Sequence, residues 1–142
     1  MSFITLLDKI ISVLNSIDDI QEVSEYPNQQ FTGFPAVMVS GDGNTSDYET
    51  TCENKEVYAF SLFAFYDLEF LKAKKSWRVM LELCDTIRDT FDNDEFLNGI
   101  LMPDGRVLLG VRPTVSQIAE DDSGKYVVAK IDLAIQVSKK VN

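Results

Sequence analysis

The chain has 142 residues, of which 45% are hydrophobic and 25% are charged, and its formal net charge is −10. This length and composition are typical of a single soluble domain that can hold a core without disulfides or metals. No apolar run approaches the roughly 18 residues that a membrane span needs, and the N-terminus lacks the basic region of a signal peptide. We therefore expect one domain over residues 1–142 that is neither secreted nor in a membrane.

The acidic charge is concentrated at the start of the chain, because residues 1–54 hold nine acidic residues and one basic residue. Such a balance argues against binding to phosphate backbones. Histidine is absent, which removes Ser-His-Asp and Cys-His catalysis and the common zinc sites. Cys52 and Cys84 lack the CxxC spacing of metal or redox motifs. The sequence predicts a protein that is not an enzyme and that holds no cofactor.

The first third of the chain predicts one helix and two strands. Apolar residues recur at helical spacing over residues 3–16 and indicate an amphipathic helix. Residues 21–27 predict a short strand that stops at a proline, and the apolar run of residues 33–40 predicts a strand that is buried on both faces or lies inside the sheet. The Gly, Asp, Asn, Ser and Thr residues of 41–54 then predict a long polar loop.

The next strand, predicted over residues 55–68, carries apolar side chains on both faces. One face holds Val57, Ala59, Phe63 and Phe65, and the other holds Tyr58, Phe60, Leu62 and Tyr66. A single layer of helices can cover only one of these faces, so the other is expected to meet a further surface. The predicted interface residues are Tyr58, Phe60 and Tyr66 on this strand and Tyr48 in the loop.

The second half predicts one long helix and two strands. Residues 69–92 read as an amphipathic helix of about 36 Å, with an apolar stripe of Phe70, Ala73, Trp77, Met80, Leu81, Cys84, Ile87 and Phe91. Residues 102–107 predict a turn, and the strand of residues 106–115 is expected partly at a sheet edge because of its proline. Residues 125–137 have the cleanest alternation in the chain, with one wholly apolar face and with Lys130, Asp132 and Gln136 on the other, and they predict a half-buried strand.

These elements together predict an α+β fold. We expect a mainly antiparallel sheet of about four to five strands, with two principal helices packed on one face.

The polar loop of residues 41–54 also contains a partial calcium-loop pattern. Four oxygen-bearing residues fall at positions 1, 3, 5 and 12 of that pattern: Asp42, Asn44, Ser46 and Glu53. Position 6 requires glycine for a sharp turn, and Asp47 stands there. The flanking elements are strands instead of helices. The four residues are therefore weak metal candidates, and the sequence favours a mobile acidic hairpin loop that contacts another chain.

The element order, with Tyr26-Pro27 and Phe34-Pro35-Ala36-Val37 as its most specific local pieces, resembles the tail terminator proteins of long-tailed bacteriophages, also called tail-completion or tail-to-head joining proteins. The resemblance covers nearly the whole chain in the order and length of its elements. It implies a structural virion protein, assembled in the host cytoplasm, that forms a homohexameric ring. The ring caps the tail tube, ends its polymerisation and provides the head-joining surface.

The same resemblance implies the partners: further copies of the chain, the tail tube protein, and a head-completion or connector protein. DNA would pass through the channel without specific binding. Three alternatives stay open. They are another phage neck or connector protein, a tail-tube subunit, against which two substantial helices argue, and a small α+β binding module with an acidic calcium- or ligand-binding loop. An enzyme ranks last, for want of a nucleophile and a base.

Overall fold

A computed structural model describes residues 2–27, 31–48, 53–74, 77–93 and 107–140. Three helices are present in these ranges: α1 (Ser2–Asn15), α2 (Leu68–Lys74) and α3 (Arg78–Asn93). Five strands accompany them: β1 (Glu22–Glu25), β2 (Ala36–Tyr48), β3 (Glu53–Asp67), β4 (Val107–Glu120) and β5 (Tyr126–Lys140).

The strands form one five-stranded sheet in the order β1-β2-β3-β5-β4. The β1–β2 pair is parallel, and the other three pairs are antiparallel. The predicted α+β fold is therefore confirmed. In the described ranges, no helix combines the length and the apolar composition that crossing a bilayer would require.

The hydrophobic core lies between the helices and one face of the sheet, which we call the helix face. The alternation predicted for the last strand is confirmed, because one side of β5 is fully buried: Val127, Ala129, Ile131, Leu133, Ile135 and Val137. From α1, Leu6, Ile10 and Leu14 pack into the same cluster and are at most 1% exposed. Burial of each such side chain contributes roughly 1.5–3 kcal/mol to folding.

The prediction of one continuous helix over residues 69–92 is wrong. Helix α2 ends at Lys74 and α3 begins at Arg78. A break resets the rotational phase, so a single 3.6-residue period no longer describes both pieces. Part of the predicted stripe is buried as expected: Met80, Cys84, Ile87 and Phe91. Phe70, Trp77 and Leu81 are instead exposed, at 43%, 40% and 49%.

The prediction of a structureless loop over residues 41–54 is also wrong for most of its length. Strand β2 continues to Tyr48 and β3 begins at Glu53, while residues 49–52 lie outside the described ranges. The two strands pair from Ala36↔Phe65 to Tyr48↔Asn54, with a register shift between Gly41 and Gly43. Residues of low strand propensity are held extended here by their pairing with β3, because sheet context outweighs intrinsic preference.

Strand β4 lies at the edge of the sheet, as its proline predicted. Two register shifts interrupt its pairing with β5, one between Leu108 and Gly110 and one between Val115 and Gln117. Pro113 sits between them and donates no backbone hydrogen bond, which is tolerated at an edge. Of the predicted turn at residues 102–107, residues 102–106 lie outside the described ranges.

The turn from β4 to β5 yields a stability prediction. Asp121 accepts hydrogen bonds from the Ser123 hydroxyl (2.9 Å) and the Tyr126 amide (3.2 Å), and Gly124 has φ +71°. Replacing Gly124 by alanine should lower the free energy of unfolding by about 1–2 kcal/mol, because a Cβ is disfavoured at this φ. Urea unfolding measures the change.

The matched control for that turn is Gly110→Ala. A Cβ added at Gly110 meets no atom within 4 Å, and its φ lies outside the left-handed region. We expect this substitution to change the free energy of unfolding by less than about 0.5 kcal/mol. Equal losses for the two glycines would contradict the conformational explanation.

Candidate interaction surfaces

The second face of the sheet, which we call the open face, contributes nothing to the main core cluster. That cluster takes Tyr58, Phe60 and Leu62 from β3, and the intervening side chains of the strand point the other way. The open face of β3 consists of Val57, Ala59, Ser61, Phe63 and Phe65, paired in register with Gln136, Ala134, Asp132, Lys130 and Val128 of β5. None of the described helices contributes to this face.

Three of the four predicted interface residues belong to the core. Tyr58 is 3% exposed, Phe60 1% and Tyr66 8%, so the expectation that they are exposed is wrong. Phe3 of α1 covers the first two, with ring centroids 4.7 Å from Tyr58 and 5.7 Å from Phe60. The apolar side of β3 that a further surface can reach is therefore the one with Phe63 and Phe65. The side chain of Tyr48 lies outside the described part, and its interface role stays a prediction.

One end of the open face is aromatic. Residues 31–34 cross it, so that the Phe31 ring lies 4.6 Å from that of Phe65 and the Phe34 ring 5.4 Å from that of Tyr126. Both nearby prolyl bonds, Tyr26-Pro27 and Phe34-Pro35, are cis. A cleft of about 470 Å³ opens here, and Tyr26 at its margin is 62% exposed. Aromatic rings at the margin of a cleft are well suited to contact another protein.

The centre of the open face is polar. The Ser61 hydroxyl donates a hydrogen bond to the Asp42 carboxylate and lies 3.5 Å from Oδ1 of Asp132. Lys130 Nζ lies 3.7 Å from the same Asp132 oxygen. Ser61 is only 1% exposed, because these side chains cover it. Asp42 thus links β2 to β3 at the register shift, where the extra residue of the bulge is free to turn its side chain across the sheet.

The four weak metal candidates are held apart because β2 is extended. Asp42 and Ser46 lie four residues apart on an extended strand, which corresponds to about 13 Å along the backbone. Calcium ligands must come within about 2.3–2.6 Å of one ion. Asn44 pairs with Tyr58 in β3, and Glu53 pairs with Lys140 at the far end of β5. From Asp42 to Tyr48 the backbone is therefore extended and does not form the turn on which the calcium pattern depends, and no group of three or more acidic, cysteine or histidine side chains converges among the described residues.

The other end of the open face holds a hollow. A hollow of about 490 Å³ lies between Val57, Ala134 and Gln136 on one side and Gly110 and Arg112 of β4 on the other. A glycine and an alanine leave room for a larger side chain to enter. The open face therefore runs from an aromatic end through a polar centre to a hollow at Gly110 and Ala134.

A second surface lies on the opposite side of the protein, beside α3. A cleft of about 580 Å³ is lined by Asp19, Tyr66, Glu82, Asp85 and their neighbours on α3. Burial, followed by the charges of Asp19 and Glu82, raises the pKa of the Tyr66 phenol above its ordinary value. Phe70 stacks on the Tyr66 ring at 5.8 Å with an interplanar angle of 11°.

Cys84, on the buried side of α3, provides a pH-dependent prediction. Burial, with a smaller effect of Asp85, raises the pKa of its thiol from 9.0 to about 11. In a Cys52→Ser variant, we expect Cys84 to react with a thiol reagent at pH 8 far more slowly in the folded protein than in urea. Equal labelling rates in the folded and urea-unfolded protein would contradict the burial of Cys84.

The raised pKa of the Cys84 thiol also makes the stability of the protein depend on pH. The stabilising contribution of the protonated thiol is complete below pH 9 and is lost as the pH rises through 11.

Comparison with protein-family models gives no match, and comparison with curated proteins gives none either. What the two surfaces can contact is therefore inferred from their own side chains. One is a sheet face with apolar, polar and hollow regions, and the other is an acidic cleft whose Tyr66 ring stacks with the exposed Phe70 ring. Both are of the kind that contacts other macromolecules.

The sequence feature that could have shown which face of β3 is open is the polar side of β5. That side pairs with Phe63 and not with Phe60.

Proposed function

We propose that the chain is a structural virion protein, a phage tail terminator whose copies form a ring of six on the end of the tail tube. The observation that carries the proposal is the open face: β3 has apolar side chains on both sides, and the helices pack on one. The element order supports it through the resemblance described above. The interruption between α2 and α3 is a departure from the single helix on which that resemblance was drawn.

The uneven character of the open face favours a ring over a symmetric dimer. A two-fold interface joins a surface patch to itself, whereas a head-to-tail interface joins two different patches and closes into a ring when the rotation permits. The aromatic end near Phe65 and the hollow near Ala134 differ in shape and chemistry. Such ends are suited to meet unlike surfaces of the neighbouring copies.

The remaining roles follow from the ring. It would end tube polymerisation, offer the surface for a head-completion or connector protein, and reside in the neck of the virion after assembly in the host cytoplasm. With a net charge of −10, the protein would repel a phosphate backbone and let DNA pass without specific binding. The segment of residues 41–54 would serve as an arm toward a neighbour, the tube or the head. The proposal includes no catalysis and no cofactor.

Negative-stain electron microscopy of the concentrated protein tests this function. We expect closed rings with six-fold symmetry and a central channel, because a heterologous contact that closes defines one ring size. Two-fold dimers or open filaments without a channel would contradict the terminator function.

A further inference from the structure

The aromatic end of the open face offers a cleft to a partner. This cleft of about 470 Å³ is lined by Phe31, Phe65 and Tyr126, and Tyr26 at its margin is 62% exposed. Aromatic side chains in a concave site favour a further ring, because offset and edge-to-face ring contacts add to the burial of apolar area. The cleft is therefore suited to an aromatic occupant.

Acidic side chains outnumber basic ones around this cleft. Asp121 lines it, and Asp67 and Glu69 line a smaller cleft of about 280 Å³ that shares Lys125 and Tyr126 with it. Within the described ranges, Lys125 is the only basic residue that lines either cleft. Three carboxylates against one ammonium group favour an occupant whose apolar side chains have basic neighbours.

Such a group of residues lies where α2 meets α3. Trp77 and Leu81 are 40% and 49% exposed, and they lie on successive turns of one helical face, since the Leu81 amide donates to the Trp77 carbonyl at 3.0 Å. Arg78 and Lys72 are exposed nearby, and the sequence has two more lysines between them. Lys72 lies one turn from Glu69 on α2, so the charge argument depends mainly on Arg78.

The remaining charges of α3 do not reverse this basic character. Asp85 and Arg88 follow Leu81 by one and two turns and lie 3.6 Å apart, so together they add no net charge. Glu82 and Thr86 line the acidic cleft on the other flank of α3, so the Glu82 carboxylate points away from Trp77.

We propose that Trp77 of one copy enters the aromatic cleft of the next copy, with Arg78 against the acidic rim of that cleft. The cleft lies on the open face and Trp77 on the helix layer, so the two patches of one chain lie on opposite sides of its sheet. Two unlike patches that join successive copies form a heterologous contact, the type that can close a ring. The inference rests on the proposed function and names the surface that the aromatic end meets.

The other candidates fit the cleft less well. Phe70 already stacks on Tyr66 of its own chain. Ile4 is exposed on α1, but Asp8 follows it by one turn and would be repelled by the acidic rim. Nucleic acid could meet the basic residues near Trp77, but the net charge of −10 opposes its approach.

The emission of the protein reports on this contact, because Trp77 is the only tryptophan. We expect the emission to shift to the blue over the concentration range in which the mass rises. Trp77→Ala and Tyr26→Ala should each raise the concentration for half-assembly at least about tenfold. Arg78→Glu should raise it at least about threefold, whereas the same reversal at the exposed Lys9 of α1 should change it less than about twofold.

A mixture of the two truncation variants tests the pairing of the patches. Trp77→Ala keeps an intact cleft and Tyr26→Ala keeps an intact tryptophan, so an equimolar mixture can form one complete contact but no ring. We expect a complex with the mass of two chains, which neither variant forms alone at the same concentration. Failure of the mixture to form this complex would overturn the proposal.

The outcomes separate this inference from the proposed function. Six-fold rings that form equally well in Trp77→Ala, or a mass that rises without a shift in emission, would overturn the contact and leave the ring. Assembly that needs Trp77 but closes at another number of copies would leave the contact and contradict the terminator. A wild-type chain that stays single would overturn both. An emission shift on adding duplex DNA to the single chain would assign the basic residues to nucleic acid and overturn the contact.

Discussion

Replacement of Phe60 by alanine is expected to lower the free energy of unfolding by about 3–5 kcal/mol. Phe60 is 1% exposed on the helix face of β3, and the ring of Phe3 lies 5.7 Å from it. Truncation would remove apolar surface from the core and leave a cavity that α1 cannot easily fill, since its apolar residues already pack against the sheet. Urea unfolding at low protein concentration measures the loss without interference from association.

Phe63→Ala is the matched control for that experiment. Phe63 lies three residues further along the same strand, on the open face, and is only half-buried. We expect its truncation to cost the single chain about 1 kcal/mol, the usual size for a partly exposed site. If Phe60→Ala were as mild as Phe63→Ala, then Phe60 would not be a core residue, and its placement beneath α1 would be wrong.

The same Phe63→Ala variant is expected to weaken self-association strongly, raising the concentration for half-assembly at least about 30-fold. Phe63 lies on the open face next to its polar centre, between Met38 of β2 and Lys130 of β5 in register. Aromatic side chains at the centre of an interface dominate its binding energy. Sedimentation velocity over a range of concentrations gives the shift directly.

Ile4→Ala is the control for association. Ile4 is 56% exposed on α1, on the helix side of the protein, so its truncation removes a similar exposed apolar surface away from the open face. We expect no change in the concentration for half-assembly. If Ile4→Ala weakened assembly while Phe63→Ala left it intact, the contact surface would lie on the helix layer instead of the open face.

The sequence predicted the architecture because two of its patterns are unambiguous. In β5 every second residue from Val127 to Val137 is apolar and the other side holds Lys130, Asp132 and Gln136, so one face was assigned to the core without knowledge of its neighbours. The apolar spacing of α1 likewise has a single helical solution. These two elements, with the proline of the edge strand β4, are enough to predict an α+β fold with helices on one side of the sheet.

The face of β3 could not be assigned in the same way, because both of its sides are apolar. Which face of β3 points into the core depends on which of its sides aligns with the polar residues of β5. The register between these two strands arises from tertiary pairing. Ser61 aligns with Asp132, and Phe60 aligns with Leu133, which places Phe60 in the core. Tyr58, Phe60 and Tyr66 were predicted as interface residues because their side of β3 was assigned to the open face. The local signal for the correct assignment was Ser61, a polar residue on the other side of the strand.

Two further differences have local causes. The helix over residues 69–92 divides between Lys74 and Arg78, and a period fitted across the division placed Trp77 and Leu81 in the core although they are exposed. The polar residues of 41–48 have low strand propensity, and they are extended because β3 already offers them a paired edge. Neither effect can be derived from a window of local sequence.

The central claim, that copies of this chain associate through the open face into a closed ring, is tested most directly by the mass in solution. Light scattering over a wide concentration range should show the mass rising from that of one chain, 16.0 kDa, to a plateau at six times that value. The Phe63→Ala variant should stay at the single-chain mass over the same range. A wild-type chain that remains at 16.0 kDa at every concentration, or a rise without a plateau, would contradict the account.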